Sequence, residues 1–209
     1  MPPTDAARKP RRRTQAERRA ATQAALLEAT VDCLVDYGYV NTTTTKIAQR
    51  AGVSRGAQVH HFPTKASLVA EAVRYLADRR TEQLAERLPS LRTGDEGIAD
   101  MLDLLWEAHS GKVFDATLEL WVAARTDDEL RDHLARLERD VTATMWELGQ
   151  GVLGDRVKDP RFRDDMDFTL ATIRGVALLR AASGEKSRAV ERRWQAARER
   201  LLAMFTAQA

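Results

Sequence analysis

Side chains that donate hydrogen bonds to anionic partners are concentrated in residues 46–69, KIAQRAGVSRGAQVHHFPTKASLV. The guanidinium of Arg55 is able to donate a bidentate pair of hydrogen bonds to guanine. The imidazoles of His60 and His61 are able to donate to phosphate or base acceptors. Lys65 offers an ammonium at the start of a predicted helix, which suits a phosphate. These residue types favour contact with a nucleic acid.

The distribution of charge along the chain points in the same direction. The 209 residues include 33 Lys and Arg and 31 Asp and Glu, a net charge of +2. Residues 1–65 hold eleven basic and five acidic residues, so the N-terminal region is at +6 and the remainder at −4. This asymmetry favours a polyanionic partner at one end, and a solvated basic tail without function is the alternative. Arg11, Arg12 and Arg13 are predicted to enter a minor groove or to follow phosphates.

A turn-forming glycine divides the donor-rich stretch into short helices. We predict one helix that begins at residue 43 or 44 and ends at Ala51, and a second over residues 54–61. Gly52 lies in the turn because glycine adopts a positive φ at little cost, and Pro63 ends the second helix. Two short helices joined in this way form a helix-turn-helix, whose second helix enters the major groove of DNA.

The same residues resemble the DNA-binding region of the TetR family of bacterial transcriptional regulators. The resemblance covers about residues 14–70 and rests on the threonine-rich entry TTTTK, the turn IAQRAGVSRGA and the following HHFPTK. The positions that match the family pattern imply DNA contacts from Thr43, Thr44, Thr45, Arg55, Gly56, Ala57, Val59, His60, His61 and Lys65.

Gln58 and Val59 depart from the common family pattern, which has Leu and Tyr at these positions. The family tyrosine usually contacts the DNA backbone, so that contact is absent here. Gln58 then either faces the DNA in its place or occupies a site that is normally buried. The sequence leaves both alternatives open.

Hydrophobic residues recur at helical spacing along the rest of the chain, and no segment alternates with period two. We predict an all-α fold with an N-terminal three-helix helix-turn-helix head and a larger helical bundle. The predicted division is a disordered basic arm at 1–13, a DNA-binding domain at 14–64 and an effector-binding and dimerisation domain at 65–209. No apolar run approaches about 20 residues, and the basic N-terminus lacks the apolar segment of a signal peptide, so we expect a cytoplasmic protein without a membrane partner.

Aromatic residues and a few polar side chains in the middle helices predict a small-molecule pocket. An ordinary hydrophobic core is the alternative for each residue, and the family resemblance, which implies a sensor cavity, favours the pocket. Arg125 and His109 are the predicted polar anchors for an effector that is anionic or carries oxygen acceptors. The predicted pocket residues are Trp106, His109, Phe114, Leu118, Trp121, Arg125, Met145 and Trp146.

Residues 168–182 are apolar on almost every face, which predicts a helix covered on both sides. One side would pack on the core and the other, with the last helix of the chain, on a second subunit in a two-fold dimer. Such a dimer sets two recognition helices about 34–36 Å apart on a near-palindromic operator. The predicted interface residues are Phe168, Thr172, Gly175, Leu179, Trp194, Leu201 and Phe205.

These patterns together predict a ligand-responsive transcriptional repressor that a small-molecule effector releases from double-stranded DNA. An all-helical enzyme, a protein-binding adaptor and a transcriptional activator are the alternatives. The sequence carries no nucleophile elbow, phosphate-binding loop or zinc-helix signature, and we predict no catalytic residue and no cofactor. No metal site is predicted at His60 and His61, because adjacent residues on a helix point about 100° apart.

Overall fold

The computed structural model describes residues 14–87, 90–92, 94–183 and 187–207, so the predicted basic arm with Arg11, Arg12 and Arg13 lies outside the described residues. The described part of the chain is helical and contains no strand, which confirms the all-α prediction. A 3₁₀ helix at Gly154–Lys158 connects the α-helix that ends at Leu153 to the one that begins at Pro160. None of the described helices has both the length and the hydropathy that crossing a bilayer requires. The helices are α1 (Gln15–Asn41), α2 (Thr44–Ala51), α3 (Arg55–His61), α4 (Lys65–Arg87), α5 (Gly94–Ala108), α6 (Gly111–Ala123), α7 (Asp128–Leu153), α8 (Pro160–Ser183) and α9 (Arg188–Thr206).

Local signals in the sequence set the ends of the first helices. Thr14 and Glu17 form a reciprocal capping box at the start of α1, where each side chain accepts from the backbone N–H of the other residue. Near the end of α1, Gly38 has φ 69° and ψ 169°, which interrupts the helix before its last residues. Gly52 takes a left-handed conformation at φ 67° and ends α2. Ser54 then caps α3 by accepting from the N–H of Ala57.

One hydrophobic core extends from the head into the body. It joins Leu26 and Leu34 of α1 and Ile47 of α2 to Leu68 of α4, and continues into α6 and α7 through residues such as Leu120. The core therefore crosses residue 64, the predicted boundary between the DNA-binding domain and the rest of the chain. The head is packed on the body through α1, α4 and α6.

A second core lies between α5, α8 and α9 and corrects part of the predicted dimer interface. Trp194, Leu201 and Phe205 are at most 3% exposed within the single chain, because they pack on α5 and α8. The helical stripe on α9 was correct, but it faces the subunit's own core, so these three residues cannot form the surface of a dimer. The indole of Trp194 stacks on that of Trp106, with ring centroids 4.6 Å apart and planes inclined by 9°.

Candidate functional site

The outer face of α3 carries side chains that are exposed and are not part of the hydrophobic core. Arg55, Val59 and His60 are exposed, whereas Ala57 is half-buried against the head. Gly56 is exposed on the same helix, and a Cβ added there would meet no atom within 4 Å. The packing of the chain therefore does not require a glycine at this position. This exposed face has the length and composition that a major-groove contact needs.

His61 lies at the edge of this face and is half-buried. Burial lowers the pKa of His61, and the nearby charges of Arg19 and His60 lower it further. The ring is therefore weighted toward its neutral form near pH 7, in which one ring nitrogen donates and the other accepts.

The entry to α2 presents a second set of hydroxyl groups beside α3. The hydroxyl of Thr43 caps α2 by accepting from the N–H of Lys46 at 3.2 Å. Thr44 is half-buried and Thr45 is exposed. The guanidinium of Arg55 donates to Thr45 Oγ1 at 3.4 Å, so the structure brings this residue pair together on one surface.

Gln58 faces the core of the head and not the outer face of α3. It is 1% exposed, and its Nε2 donates to the backbone oxygen of Phe62 at 2.8 Å. Its Oε1 is buried without a hydrogen-bond partner among the described residues. Of the two alternatives that the sequence left open, the buried one is correct, and the hydrogen bond to Phe62 supports the end of α3.

The ammonium of Lys65 is directed inward, which corrects its prediction as a phosphate contact. Its Nζ donates to the backbone oxygen of Tyr39 and lies 3.9 Å from the centroid of the Tyr39 ring. Burial lowers the pKa of Lys65, and the carboxylate of Asp127 acts in the opposite direction. The carbonyl, the aromatic face and the carboxylate together stabilise the inward position, so the amine supports the contact between α1 and α4.

These contacts belong to a polar junction between the head and the body. We use this name for Gly38, Tyr39, Lys65, Glu119 and Asp127. The hydroxyl of Tyr39 donates to Asp127 Oδ2 at 2.7 Å, and its N–H donates to Glu119 Oε2 at 3.3 Å. Asp127 also accepts from the backbone N–H of Leu130 and so caps α7.

The ionisation of two junction residues reflects this pairing. Burial and the hydrogen bond to Asp127 raise the pKa of Tyr39. The hydrogen bond from the N–H of Leu130, followed by that from Tyr39, lowers the pKa of Asp127. At neutral pH the phenol of Tyr39 is therefore protonated and the carboxyl group of Asp127 is ionised, which are the states that their hydrogen bond requires.

A cavity of about 870 Å³ lies in the body between α4, α5, α6, α7 and α8. Its walls are mainly apolar and include Phe114 and Trp121 of α6, whose rings meet edge to face at 6.2 Å. The volume lies within the range of about 300–1,000 Å³ that is typical of small-molecule sites. Since α6 forms one wall and also carries Glu119, the cavity and the polar junction share a helix.

The surface of α8 that faces away from the cavity carries an apolar stripe. Phe168 is 60% exposed, and Leu178 and Leu179 are 54% and 42% exposed. Gly175 lies between them, and a Cβ added there would meet no atom within 4 Å. Thr172, beside the stripe, is half-buried. Phe168, Gly175 and Leu179 share one face of α8, and exposed apolar residues arranged in this way are typical of protein contacts.

Comparisons with known proteins agree with this architecture. A model of the bacterial regulatory proteins of the tetR family matches residues 26–72. The chain is 37% identical over 186 residues to the HTH-type transcriptional regulator CymR of Pseudomonas putida, covering 86% of this chain and 89% of CymR. The chain belongs to the TetR family. It is therefore a transcriptional regulator and not an enzyme.

Two further proteins are similar to this TetR-family regulator, one in sequence and one in fold. It is 30% identical over 155 residues to the HTH-type transcriptional repressor KstR2 of Rhodococcus jostii, and this alignment covers 70% of each chain. Its fold is similar to that of FadR of Bacillus subtilis, solved in complex with stearoyl-CoA, with a TM-score of 0.66 at 18% identity. That superposition covers 88% of this chain and 98% of FadR.

The structure of this TetR-family regulator brings together about half of the residues predicted for the pocket. His109, Phe114, Trp121 and Trp146 line the cavity. The side chain of Met145 lies outside the described residues.

Trp106, Leu118 and Arg125 were also predicted to line the pocket, but they do not lie in the cavity wall. Trp106 packs on Trp194 in the second core and under the guanidinium of Arg180. Arg125 is exposed beyond α6, because that helix ends at Ala123 and the following turn removes Arg125 from the aromatic face. Leu118 is half-buried on α6 but is not part of the cavity wall.

None of the charged residues that line the cavity of this TetR-family regulator was predicted from the sequence, and Glu138 and Arg174 are two of them. The carboxylate of Glu138 accepts from Trp121 Nε1 at 2.6 Å, and the guanidinium of Arg174 lies 5.2 Å from the centroid of the same indole. Arg174 and Arg180 both interrupt the apolar run of residues 168–182, and a cation in such a run was the available signal. Only the fold shows that Arg174 faces the cavity.

Proposed function

We propose that this TetR-family regulator is a repressor that binds a near-palindromic operator as a dimer and is released by a small-molecule effector. The observation that carries the proposal is the outer face of α3, where Arg55, Gly56, Val59 and His60 are exposed. The name of KstR2 as a repressor supports repression over activation. Because the DNA of a bacterium lies in its cytoplasm, this function requires the protein there.

The proposed DNA contacts are of two kinds. Some position the head on the DNA backbone, and others read the base sequence. Arg55 would read a base pair in the major groove, since its guanidinium is exposed beside Thr45. Thr43, Thr44, His60 and the edge residue His61 would contact phosphates and fix the position of the head. Arg11, Arg12 and Arg13 would contribute phosphate or minor-groove contacts.

The apolar stripe on α8 supports the dimer. Phe168, Gly175 and Leu179 would meet the same residues of a second copy across a two-fold axis, with Thr172 at the side. Gly175 allows close approach, because the chain itself leaves space around it. A dimer of this kind separates the two heads by about one turn of DNA.

The shared helix α6 supports a route from the cavity to the heads. An effector that displaces Phe114 or Trp121 moves α6, and with it Glu119 and the loop that carries Asp127. Both carboxylates bind Tyr39 at the end of α1, so the movement reaches the head. The effector acts only to the extent that it binds the conformation released from DNA more tightly.

DNA selected from a random pool, followed by fluorescence anisotropy, tests the reading role. Arg55→Ala should weaken binding to the selected sequence by about 5- to 150-fold, corresponding to about 1–3 kcal/mol, with little change on random DNA. Arg50→Ala is the matched control, because Arg50 is an exposed cation on α2 paired with Asp36. It should change both affinities by the same small factor. Equal behaviour of the two variants would remove the reading role of Arg55.

Sedimentation tests the dimer independently of DNA. Leu179→Glu places a charge on the apolar stripe and should shift the protein toward the monomer. Glu199→Gln on the exposed face of α9 is the control and should leave the dimer intact. A wild-type protein that sediments as a monomer contradicts the proposed assembly.

A further inference from the structure

We propose that the effector is an amphiphilic carboxylate, whose carboxylate group is bound by Arg174 and whose apolar part lies on the aromatic wall of the cavity. This inference rests on the proposed effector-released function and specifies the chemistry of the effector.

Part of the guanidinium of Arg174 lacks a hydrogen-bond acceptor. Its Nε is buried and has no hydrogen-bond partner among the described residues. A buried donor without a partner is costly, and the guanidinium geometry matches two oxygens of one carboxylate. The guanidinium contacts the face of the Trp121 indole at 5.2 Å, which orients the side chain without satisfying its N–H groups. Arg174 is therefore positioned and still requires an oxygen acceptor.

The acidic residue beside Trp121 is already bonded. Glu138 Oε1 accepts a hydrogen bond from Trp121 Nε1 at 2.6 Å. Glu147 and Asp167 also line the cavity but are exposed, so water solvates their carboxylates. The half-buried part of the wall thus offers a donor atom without a partner, Arg174 Nε, and a carboxylate that already accepts a hydrogen bond, Glu138. This balance favours an anionic ligand over a cationic one.

The remaining wall explains why the carboxylate should carry an apolar body. Leu170 and Met166 lie one and two turns before Arg174 on the same face of α8, and both line the cavity. Phe114 and Leu105 line the other side. A ligand without an apolar part would leave these surfaces in contact with water, whereas a hydrocarbon chain or ring system would cover them.

Isosteric probes that differ only in the head group test the inference. We would titrate the full-length protein with decanoate and 2-naphthoate, and with the corresponding primary amides and amines. Tryptophan fluorescence reports binding, because Trp121 and Trp146 line the cavity. At least one carboxylate should bind about tenfold more tightly than its amide, and the amine more weakly than either. Arg174→Gln should abolish the preference for carboxylate over amide.

A second variant and a control keep this test independent of folding. Arg174→Lys retains the charge without the planar fork and should keep part of the preference. Arg161→Gln removes an exposed arginine near the start of α8, where it pairs with Asp159. It should retain the full preference. The thermal unfolding of each variant shows whether it is folded.

Several results would overturn the inference. These are carboxylates that fail to bind below about 1 mM, amides or amines that bind as tightly, and a preference that survives in Arg174→Gln. The proposed function fails separately: carboxylate binding through Arg174 without any change in DNA affinity contradicts effector release but leaves the ligand chemistry intact. Release from DNA by a neutral or cationic compound supports the function and contradicts the carboxylate.

Discussion

The polar junction and the cavity differ in how their polar groups are satisfied. At the junction, the hydroxyl of Tyr39 bonds to Asp127, and the ammonium of Lys65 bonds to the carbonyl oxygen of Tyr39. In the cavity, the buried Nε of Arg174 has no partner among the described residues. Both regions lie against α6, so their position relative to this helix does not explain why the junction groups have hydrogen-bond partners and Arg174 Nε has none.

This contrast distinguishes residues that stabilise the fold from a residue that is available to bind a ligand. A satisfied polar group contributes to the stability of the folded chain, and its removal lowers that stability. A buried donor without a partner does not stabilise the folded chain, and its desolvation remains costly until an acceptor binds. We therefore expect junction variants to reduce the free energy of unfolding, and cavity variants at Arg174 to alter ligand binding with little effect on stability.

The largest effect is expected at Gly38. Its backbone, at φ 69° and ψ 169°, lies in a region that is essentially restricted to glycine, and an added Cβ would lie 2.9 Å from Glu119 Oε2. Gly38→Ala should lower the free energy of unfolding by about 2–4 kcal/mol, through backbone strain and loss of the contact between Glu119 and Tyr39. Urea denaturation measures this change.

Gly56→Ala is the matched control for Gly38→Ala. Gly56 lies in α3 with open space at the Cβ position, so alanine should stabilise the protein by up to about 1 kcal/mol through its higher helix propensity. Destabilisation by both substitutions to the same extent would show that the junction has no special requirement for glycine.

A smaller loss of stability is expected for Tyr39→Phe. The substitution removes the hydroxyl that donates to Asp127 and keeps the ring against Lys65. Because the acceptor is charged and the pair is partly exposed, the expected loss is about 1–2 kcal/mol at pH 7. The double-mutant cycle with Asp127→Ala isolates the hydrogen bond from the separate role of Asp127 as the cap of α7. A coupling energy of zero would contradict the interaction.

The pH dependence of the same difference provides a second measurement. The pKa of Tyr39 is raised in the folded state, chiefly by burial and then by Asp127. A raised pKa gives a contribution to stability that is complete below the unfolded pKa of about 10 and is lost as the pH rises above it. The stability advantage of the wild type over Tyr39→Phe should therefore be constant from pH 6 to 9 and decrease above about pH 10. An advantage that increases with alkaline pH would contradict this assignment.

The head could be predicted from the sequence because its signals are local. The capping box of Thr14 and Glu17, the turn at Gly52 and the cap at Ser54 each act within a few residues. The composition of α3 also predicted its contact with DNA. The inward direction of Lys65 could not be predicted, because it depends on Tyr39 and Asp127, which are distant in sequence.

The body was predictable in its helices but not in the direction of their faces. The spacing of Trp194, Leu201 and Phe205 correctly indicated one apolar face of α9, but an apolar face packs equally well on its own core or on a second subunit. Only the arrangement of α5 and α8 decides between these alternatives. Arg125 was misplaced for a related reason, since the end of α6 at Ala123 carries no strong local stop signal.

The smallest effect on stability is expected for Arg174→Met. Methionine removes the buried Nε that has no partner among the described residues and fills similar space, but it also loses the contact between the guanidinium and Trp121. These changes oppose each other, so the free energy of unfolding without ligand should stay within about 1 kcal/mol of the wild type. Urea denaturation beside Tyr39→Phe measures both under one set of conditions. If Arg174→Met costs as much stability as Tyr39→Phe or more, Arg174 supports the fold as the junction residues do, and the contrast between the two regions is lost.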